Sequence, residues 1–328
     1  MKKKGFSYAK WGYIFALPFI LAFFLFMLYP IVYTLFIGFT NMKGMIPPEV
    51  KILEDPFQNF KDILKDPIFI KSLKNTFKMW IWNFIPQILL ALILAAWFTD
   101  ERIKIRGKGF FKVIFYMPNI ITAASIAILF SALFSYPKGP INDILIALGV
   151  VDGAYNFAID GVASQLTVAF IQFWMWYGYT MIVFVSGILG ISPEIFEAAD
   201  IDGANGLQKF FYVTLPNIRS IMLFTLVTSL IGGLNMYDIP KLYLDGGPND
   251  MTRTTSVFIY KQAFSGAYMY NTAAAASTIM FLIIAVIAAI MFFIMRDKDE
   301  AKLHKEIKKQ EKLYKQKLKA EKLEQEGR

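Results

Sequence analysis

The sequence predicts an all-α integral membrane protein with six transmembrane helices. Two observations carry that expectation. The chain is 56% hydrophobic, with 32 Phe among 328 residues and a positive mean hydropathy, which is more apolar than soluble domains of this size. Cutting it at every Asp, Glu, Lys and Arg leaves six long charge-free runs, 11–42, 79–99, 113–137, 161–193, 220–237 and 262–295, while the next longest, 210–218, has nine residues. A helix needs about 20 mostly apolar residues to cross the hydrocarbon core. All six runs supply that, 220–237 only just. Backbone groups must pair internally in lipid, so a spanning segment is a helix or part of a closed barrel. Runs this continuous lack the alternation of barrel strands. A large soluble protein with buried helices does not supply six of them.

Taken in order, the first run follows Lys2, Lys3 and Lys4. It is too long for a signal-peptide core and no small-residue cleavage pattern closes it, so it reads as a retained signal-anchor helix. The segment 40–72, with Pro47, Pro48, Pro56 and Pro67, reads as a small ordered cap or lateral helix. Between the third and fourth runs, Asn142-Asp143-Ile144-Leu145 can start a short helix, and Asp245-Gly246-Gly247-Pro248 is a turn by composition. The tail 296–328 is dense in Lys and Glu, with Leu303, Ile307, Leu313, Leu318 and Leu323 too irregularly spaced for a coiled-coil seam. It reads as a charged, solvated helix. The chain therefore divides into 1–70 (first span and outer segment), 71–295 (a five-span core) and 296–328 (tail).

Charge sets the sidedness. With the N-terminus inside, six spans place 100–112, 191–219 and 296–328 inside. Of the 34 Lys and Arg, 23 then lie inside, the outer segments sum to zero, and the whole net charge of +9 is internal. This is the positive-inside bias, and it predicts that both termini are cytoplasmic. The basic residues flank spans and face anionic headgroups; no nucleic-acid motif accompanies them.

The inner segment 191–219 follows from local rules. Ser192 can cap a helix, Pro193 fits its first turn, and Glu194 and Glu197 suit its positive end. Gly203 supplies a stop. Asn205 can cap a second helix with Leu207, Phe210, Phe211 and Thr214 on one face, and Pro216 ends it. The expected product is two short helices around a glycine corner, with Phe210 and Phe211 anchoring them to the transmembrane bundle.

The run Glu197-Ala198-Ala199, then Asp202-Gly203-Ala204, Phe210 and Leu215-Pro216, resembles the EAA loop of ABC importer permeases. The likeness is to the binding-protein-dependent sugar permeases, the branch of maltose and glycerol-3-phosphate transporter subunits. Asn59-Phe60 through Asp66-Pro67-Ile68-Phe69 to Ser72-Leu73-Lys74-Asn75-Thr76 is similar to that branch. So is Gly246-Gly247-Pro248 with Thr252, Tyr260, Ala263-Phe264 and Ala274-Ala275-Ala276. The resemblance covers residues ~10 to 295. It implies a type I ABC importer permease fold in a bacterial or archaeal inner membrane. It also implies a coupling helix docked on a separate ATPase, with Glu197, Ala198, Ala199, Asp202, Gly203, Ala204, Phe210 and Pro216 at or beside the contact. The implied partners are two ATPase subunits, a second homologous permease in a heterodimer or else a second copy of this chain, and an extracytoplasmic solute-binding protein.

Absences point the same way. No G-x-x-x-x-G-K-[ST] phosphate loop occurs, so the chain is expected to be a transport subunit and not an enzyme. There is no Cys and one His, His304, so no thiolate chemistry or metal-ligand spacing is available, and no cofactor is expected. The charge-free runs lack the carboxylates and cations of proton or sodium pumps, which leaves an external motor. For the solute path the candidates are Asn83, Gln87, Asn119, Gln172, Trp176, Tyr177 and Asn235, since amides beside aromatic faces suit a neutral polyhydroxyl solute. Thr122, Ser125, Ser186, Trp174 and Tyr237 accompany them. The same residue types also serve as helix–helix contacts and interfacial anchors. The expected cargo is a sugar or oligosaccharide, with glycerol-3-phosphate or another small solute as the alternative. A channel or scaffold is the alternative outside transport by ATP.

Overall fold

The computed structural model describes residues 9–45, 49–100, 102–103, 105–266, 268–295 and 306–314. Lys2, Lys3, Lys4, Pro47, Pro48, Lys104, Leu303, His304, Leu318 and Leu323 lie outside the described residues. Apart from one isolated antiparallel bridge, Thr40 to Ile52, the regular structure among the described residues is helical. The helices are α1 (Ala9–Phe23), α2 (Tyr29–Ile37), α3 (Gln58–Lys65), α4 (Pro67–Thr99), α5 (Lys108–Ile120), α6 (Ala123–Leu133), α7 (Pro140–Ala147) and α8 (Gly161–Leu189). They continue with α9 (Pro193–Ile201), α10 (Gly206–Gln208), α11 (Leu215–Asn217), α12 (Arg219–Leu234), α13 (Asp238–Leu244), α14 (Thr255–Phe264) and α15 (Tyr270–Met295). Residues 306–314 of the tail are helical and exposed.

Five helical segments are long and apolar enough to span a membrane: Trp11–Ile37, Pro67–Thr99, Gly161–Leu189, Arg219–Leu244 and Tyr270–Met295. A sixth exists when α5 and α6 are counted together. The run 113–137 is thus not one continuous helix. Ile121 and Thr122 are extended (ψ 136° and 144°), and the Thr122 side chain caps α6 by accepting from the Ser125 amide. The run 220–237 is also interrupted, between Leu234 and Asp238. The carbonyls of Asn235 and Met236 freed there accept from the Ser256 and Thr254 hydroxyls at 3.1 and 2.8 Å, which makes a break in apolar surroundings tolerable.

Two π-helical turns, Phe24–Leu28 and Lys209–Thr214, share a cause. Each ends two residues before a proline, Pro30 or Pro216. In each, the amide of the residue before proline reaches five residues back, from Tyr29 to Phe24 and from Leu215 to Phe210. A proline ring crowds the carbonyl four residues earlier, and a wider turn relieves it. Pro216 therefore does not end the second inner helix, as the sequence suggested; it widens the preceding turn.

The chain falls into two compact units. The first holds residues up to Asn83, Thr122–Gln172 and Gly233–Ile284. Its apolar core is Ile63, Phe69, Phe258, Ala275 and Ala276, and α13 packs on α6. Buried amides tie its loops together. Asn59 donates to the Gly38 and Thr40 carbonyls at 2.8 and 2.9 Å and accepts from Asn271 at 3.0 Å. Asn75 donates to the Asp250 and Arg253 carbonyls at 2.7 and 3.3 Å, and Thr76 meets Thr255 at 3.1 Å. The two outlying stretches that resemble the sugar permeases thus meet here. Gln165, with no signal in the sequence, donates to Asn75 and to the Met251 carbonyl.

The second unit holds Phe84–Ile121, Phe173–Gly232 and the chain from Ala285 onward. Its core runs through Ala91, Leu94, Ala95 and Phe98 of α4, Tyr177, Met181, Phe184, Val185 and Ile188 of α8, and Ile218. Small residues bring these helices close. A Cβ on Gly178 would lie 1.8 Å from the Phe115 carbonyl oxygen, and one on Gly187 2.8 Å from Ile221 Cδ1, the backbone approach that small residues permit between membrane helices.

Candidate functional site

The second unit carries the loop that the sequence singled out. Ser192 precedes α9 in an extended conformation, Pro193 opens it and Glu194 lies in its first turn. The Ser192 hydroxyl makes no capping bond to the helix backbone; it approaches the Glu194 carboxylate at 3.4 Å. Phe196 packs against the unit's apolar core, while Glu194, Glu197 and Ala198 are exposed. One helical face is held and the other is free.

The corner is built by backbone bonds. Asp202 closes α9, and Gly203 takes φ +75°, the left-handed region that glycine enters without steric cost. The Gly203 amide donates to the Asp200 carbonyl at 3.0 Å and the Ala204 amide to the Ala199 carbonyl at 2.9 Å. That pair of bonds is a Schellman motif and satisfies the last carbonyls of the helix. Nothing lies within 4 Å of a Cβ placed on Gly203, so backbone conformation alone demands glycine there. Asn205 then starts α10 with a full capping box: its side chain accepts from the Gln208 amide at 3.0 Å, and Gln208 Oε1 accepts from the Asn205 amide at 2.8 Å.

The expected aromatic anchor is only partly present. Phe210 is half-buried, but Leu207, Phe211 and Tyr212 are exposed. The sequence reading assumed 3.6 residues per turn through 207–214, and the π turn rotates that register. Of the expected face, Thr214 is buried, and Lys209, outside that face, turns inward with it. Lys209 pairs with Asp200 across the corner. The loop before α5 adds a second pair: Arg102 donates to both Asp100 carboxylate oxygens at 3.0 and 2.9 Å. That contact holds the Asp100 carboxyl below its usual range and raises the Arg102 guanidinium. The Arg102 guanidinium also lies 3.0 Å from where a Cβ on Gly206 would stand. Neither pair was foreseen, since partners nine residues apart across a corner, or two apart in an irregular loop, leave no periodic trace.

The solute-path candidates divide between the units. Asn83, Gln172 and Asn235 fall in the first, and Gln87, Asn119, Trp176 and Tyr177 in the second. Asn83 donates to the Met79 carbonyl of its own helix at 3.2 Å. Gln87 is buried and donates to the Thr180 and Ser229 hydroxyls at 2.8 and 3.4 Å. Asn119 donates to the Met175 carbonyl at 3.3 Å. Tyr177 packs in the apolar core against Phe115 and Phe173, whereas Trp176 is part-exposed, edge-on to Tyr179. Asn235 is exposed and Gln172 buried. Thr122 and Ser125 bond each other at the start of α6.

Comparison with known proteins agrees with this architecture. Residues 76–297 match the family described as binding-protein-dependent transport system inner membrane component. The lactose transport system permease protein of Rhizobium radiobacter is 30% identical over 88% of this chain and 94% of its own. An arabinooligosaccharides transport system permease protein of Bacillus subtilis is 28% identical over 85% of this chain and 86% of its own. Among solved structures, a chain of a bacterial ABC transporter for import of the acidic polysaccharide alginate matches with TM-score 0.70 at 23% identity. The match covers 87% of this chain and 94% of that one, and it shows the shared fold. Helices of spanning length, the capped inner loop and the family match converge: the chain belongs to the inner membrane components of binding-protein-dependent transport systems, and is a multi-pass membrane transport subunit.

Proposed function

We propose that this chain is the permease of an ATP-driven importer for a sugar or oligosaccharide, and that the loop 191–219 receives the stroke of a separate ATPase. The observation that carries the coupling role is the surface around Gly203. Ile201, Leu207, Phe211 and Tyr212 are exposed there, with relative exposure of 87% for Ile201 and 80% for Tyr212, on a loop whose corner is closed by the Schellman pair and the Asn205 capping box. A rigid corner bearing exposed apolar side chains suits docking into a partner's groove. Glu197, Ala198, Ala199, Asp202, Gly203, Ala204, Phe210 and Pro216 form or support that contact. Closure of two ATPase subunits would then reach the helices as a rigid push.

The sugar cargo rests on the relatives named for lactose and arabinooligosaccharides. Asn83, Gln87, Asn119, Gln172, Trp176, Tyr177 and Asn235 remain the proposed path, with part-exposed Trp176 the strongest among them. The partners are two ATPase subunits, a second homologous permease forming a heterodimer, and a solute-binding protein outside. Both termini are cytoplasmic. In support, that placement puts 23 of the 34 Lys and Arg and the whole net charge of +9 on the inner side. The division into 1–70, 71–295 and 296–328 stands as a proposed functional partition.

Gly203→Asp tests the coupling role. A Cβ there meets no atom of this chain, but φ +75° strains any L side chain, and the variant adds a charge to the corner. Insertion into the membrane should be normal while uptake coupled to ATP hydrolysis is abolished. Normal uptake by the variant would refute the assignment.

A further inference from the structure

Among the exposed residues of the inner loop, Lys209 stands out as a buried lysine. Its side chain is 10% exposed, although the neighbouring Gln208 and Phe211 face outward. Lysines are almost never buried unless paired, and the partner is Asp200. The two sit on opposite sides of the Gly203 corner: Asp200 in the last turn of α9, Lys209 at the first position of the π turn. The corner itself is held by two backbone bonds, and a two-bond turn can flex. The ion pair closes it as a third, longer strut.

The adjoining loop reinforces the strut. Arg102 is fixed by both oxygens of Asp100, and the Lys108 ammonium donates to the Asp100 carbonyl at 3.1 Å. Lys209 acts electrostatically on Asp100, and Asp200 on Arg102. The pairs Asp100–Arg102 and Asp200–Lys209 thus act on one another, with Arg102 beside Gly206, and link α9, the corner and the loop before α5. If the loop receives a push, a hinge at Gly203 would absorb it, and a clasped corner would pass it on.

We propose that Lys209 and Asp200, backed by Arg102 and Asp100, form a clasp that positions α9 for energy coupling. Lys209 and Asp200 are positioning residues that act through the orientation of the exposed face of α9. The inference rests on the coupling role proposed above. It assigns that role's rigidity to Asp200 and Lys209, which lie within the loop but are not among the residues that carry the resemblance, and to Asp100 and Arg102 of another segment.

The test uses the assembled complex in proteoliposomes, with ATP hydrolysis measured with and without the solute-binding protein. The readout is the stimulation ratio per purified complex. A purely structural role would lower the amount of complex and leave that ratio alone. Asp200→Lys and Lys209→Asp should each lower the ratio about fivefold or more, and the double exchange should restore it to within about twofold of the parent. Unchanged ratios in the single variants, or no recovery in the double, would overturn the clasp. If the single exchanges do not assemble, Asp200→Asn, at a carboxylate that is 58% exposed, takes their place, and an unchanged ratio there has the same force. Gly203→Asp run alongside separates the two ideas. If it abolishes stimulation while the clasp variants do not, only the clasp fails; if it too leaves stimulation intact, the coupling role fails.

Discussion

Substituting Gly178 by Ala should loosen the packing of α5 on α8 and unfold the second unit at lower denaturant. The added Cβ would stand 1.8 Å from the Phe115 carbonyl oxygen, 2.6 Å from its carbon and 3.0 Å from Tyr116 Cα. Ordinary contact begins at 3.4 Å, so the two backbones must part by about 1.6 Å at that point. All three opposing atoms are backbone, so no rotamer change can relieve the overlap. Overpacking of this kind costs about 1–3 kcal/mol. The Asn119–Met175 bond, at 3.3 Å and one turn away, is too long to survive the separation; bonds between membrane helices average about 0.6 kcal/mol. Together these give about 2–4 kcal/mol, or at least about thirtyfold in the folded population. Unfolding in mixed micelles, followed by circular dichroism, measures it. Gly12→Ala on α1 is the control, since nothing lies within 4 Å of its Cβ, and should change stability by less than about 0.5 kcal/mol. If Gly178→Ala unfolds with the control, the close approach of α5 and α8 is wrong.

Two further outcomes follow from polar contacts. Asn75→Ala removes two bonds to the carbonyls of Asp250 and Arg253 and the acceptor of Gln165. Leaving those buried groups unpaired costs about 1–3 kcal/mol, and hydrogen exchange in 245–255 should speed up while that in 193–201 does not. Asp100 is held below its ordinary carboxylate range by Arg102. A depressed carboxylate contributes stability that is complete above its unfolded value and is lost as pH falls through the folded one. Asp100→Asn should therefore match the parent in pH sensitivity near neutrality and show a shallower stability loss below about pH 4. An acid limb of equal steepness would remove Asp100 from the account.

How far the sequence could be read depended on the range of each interaction. Spans were legible because the absence of charge over 20 or more residues is itself the signal. The corner at Gly203 and the cap at Asn205 were legible because their partners lie within three to five residues. The break at Ile121-Thr122 was hidden inside an apolar run, since a capping threonine between apolar residues looks like any other. The π turn before Pro216 left Leu207 and Phe211 of the assigned face exposed while Thr214 stayed buried, because periodicity assumes an unbroken α-helix. The burial of Lys209 left no signal, because its partner Asp200 lies nine residues away across the corner. Gln165, which joins Asn75 to Met251, was invisible because its partners lie about ninety residues away on either side.

The central claim is that the exposed face of α9 meets the ATPase, and capture of that contact tests it most directly. The chain contains no cysteine, so Ala198→Cys gives a unique thiol for a maleimide–benzophenone photo-crosslinker in the assembled complex. Leu148→Cys, exposed after α7, is the comparison in the first unit. The account predicts an ATPase adduct from position 198 whose yield changes on ATP addition, and none from position 148. Equal capture from both positions, or none from 198, would contradict it.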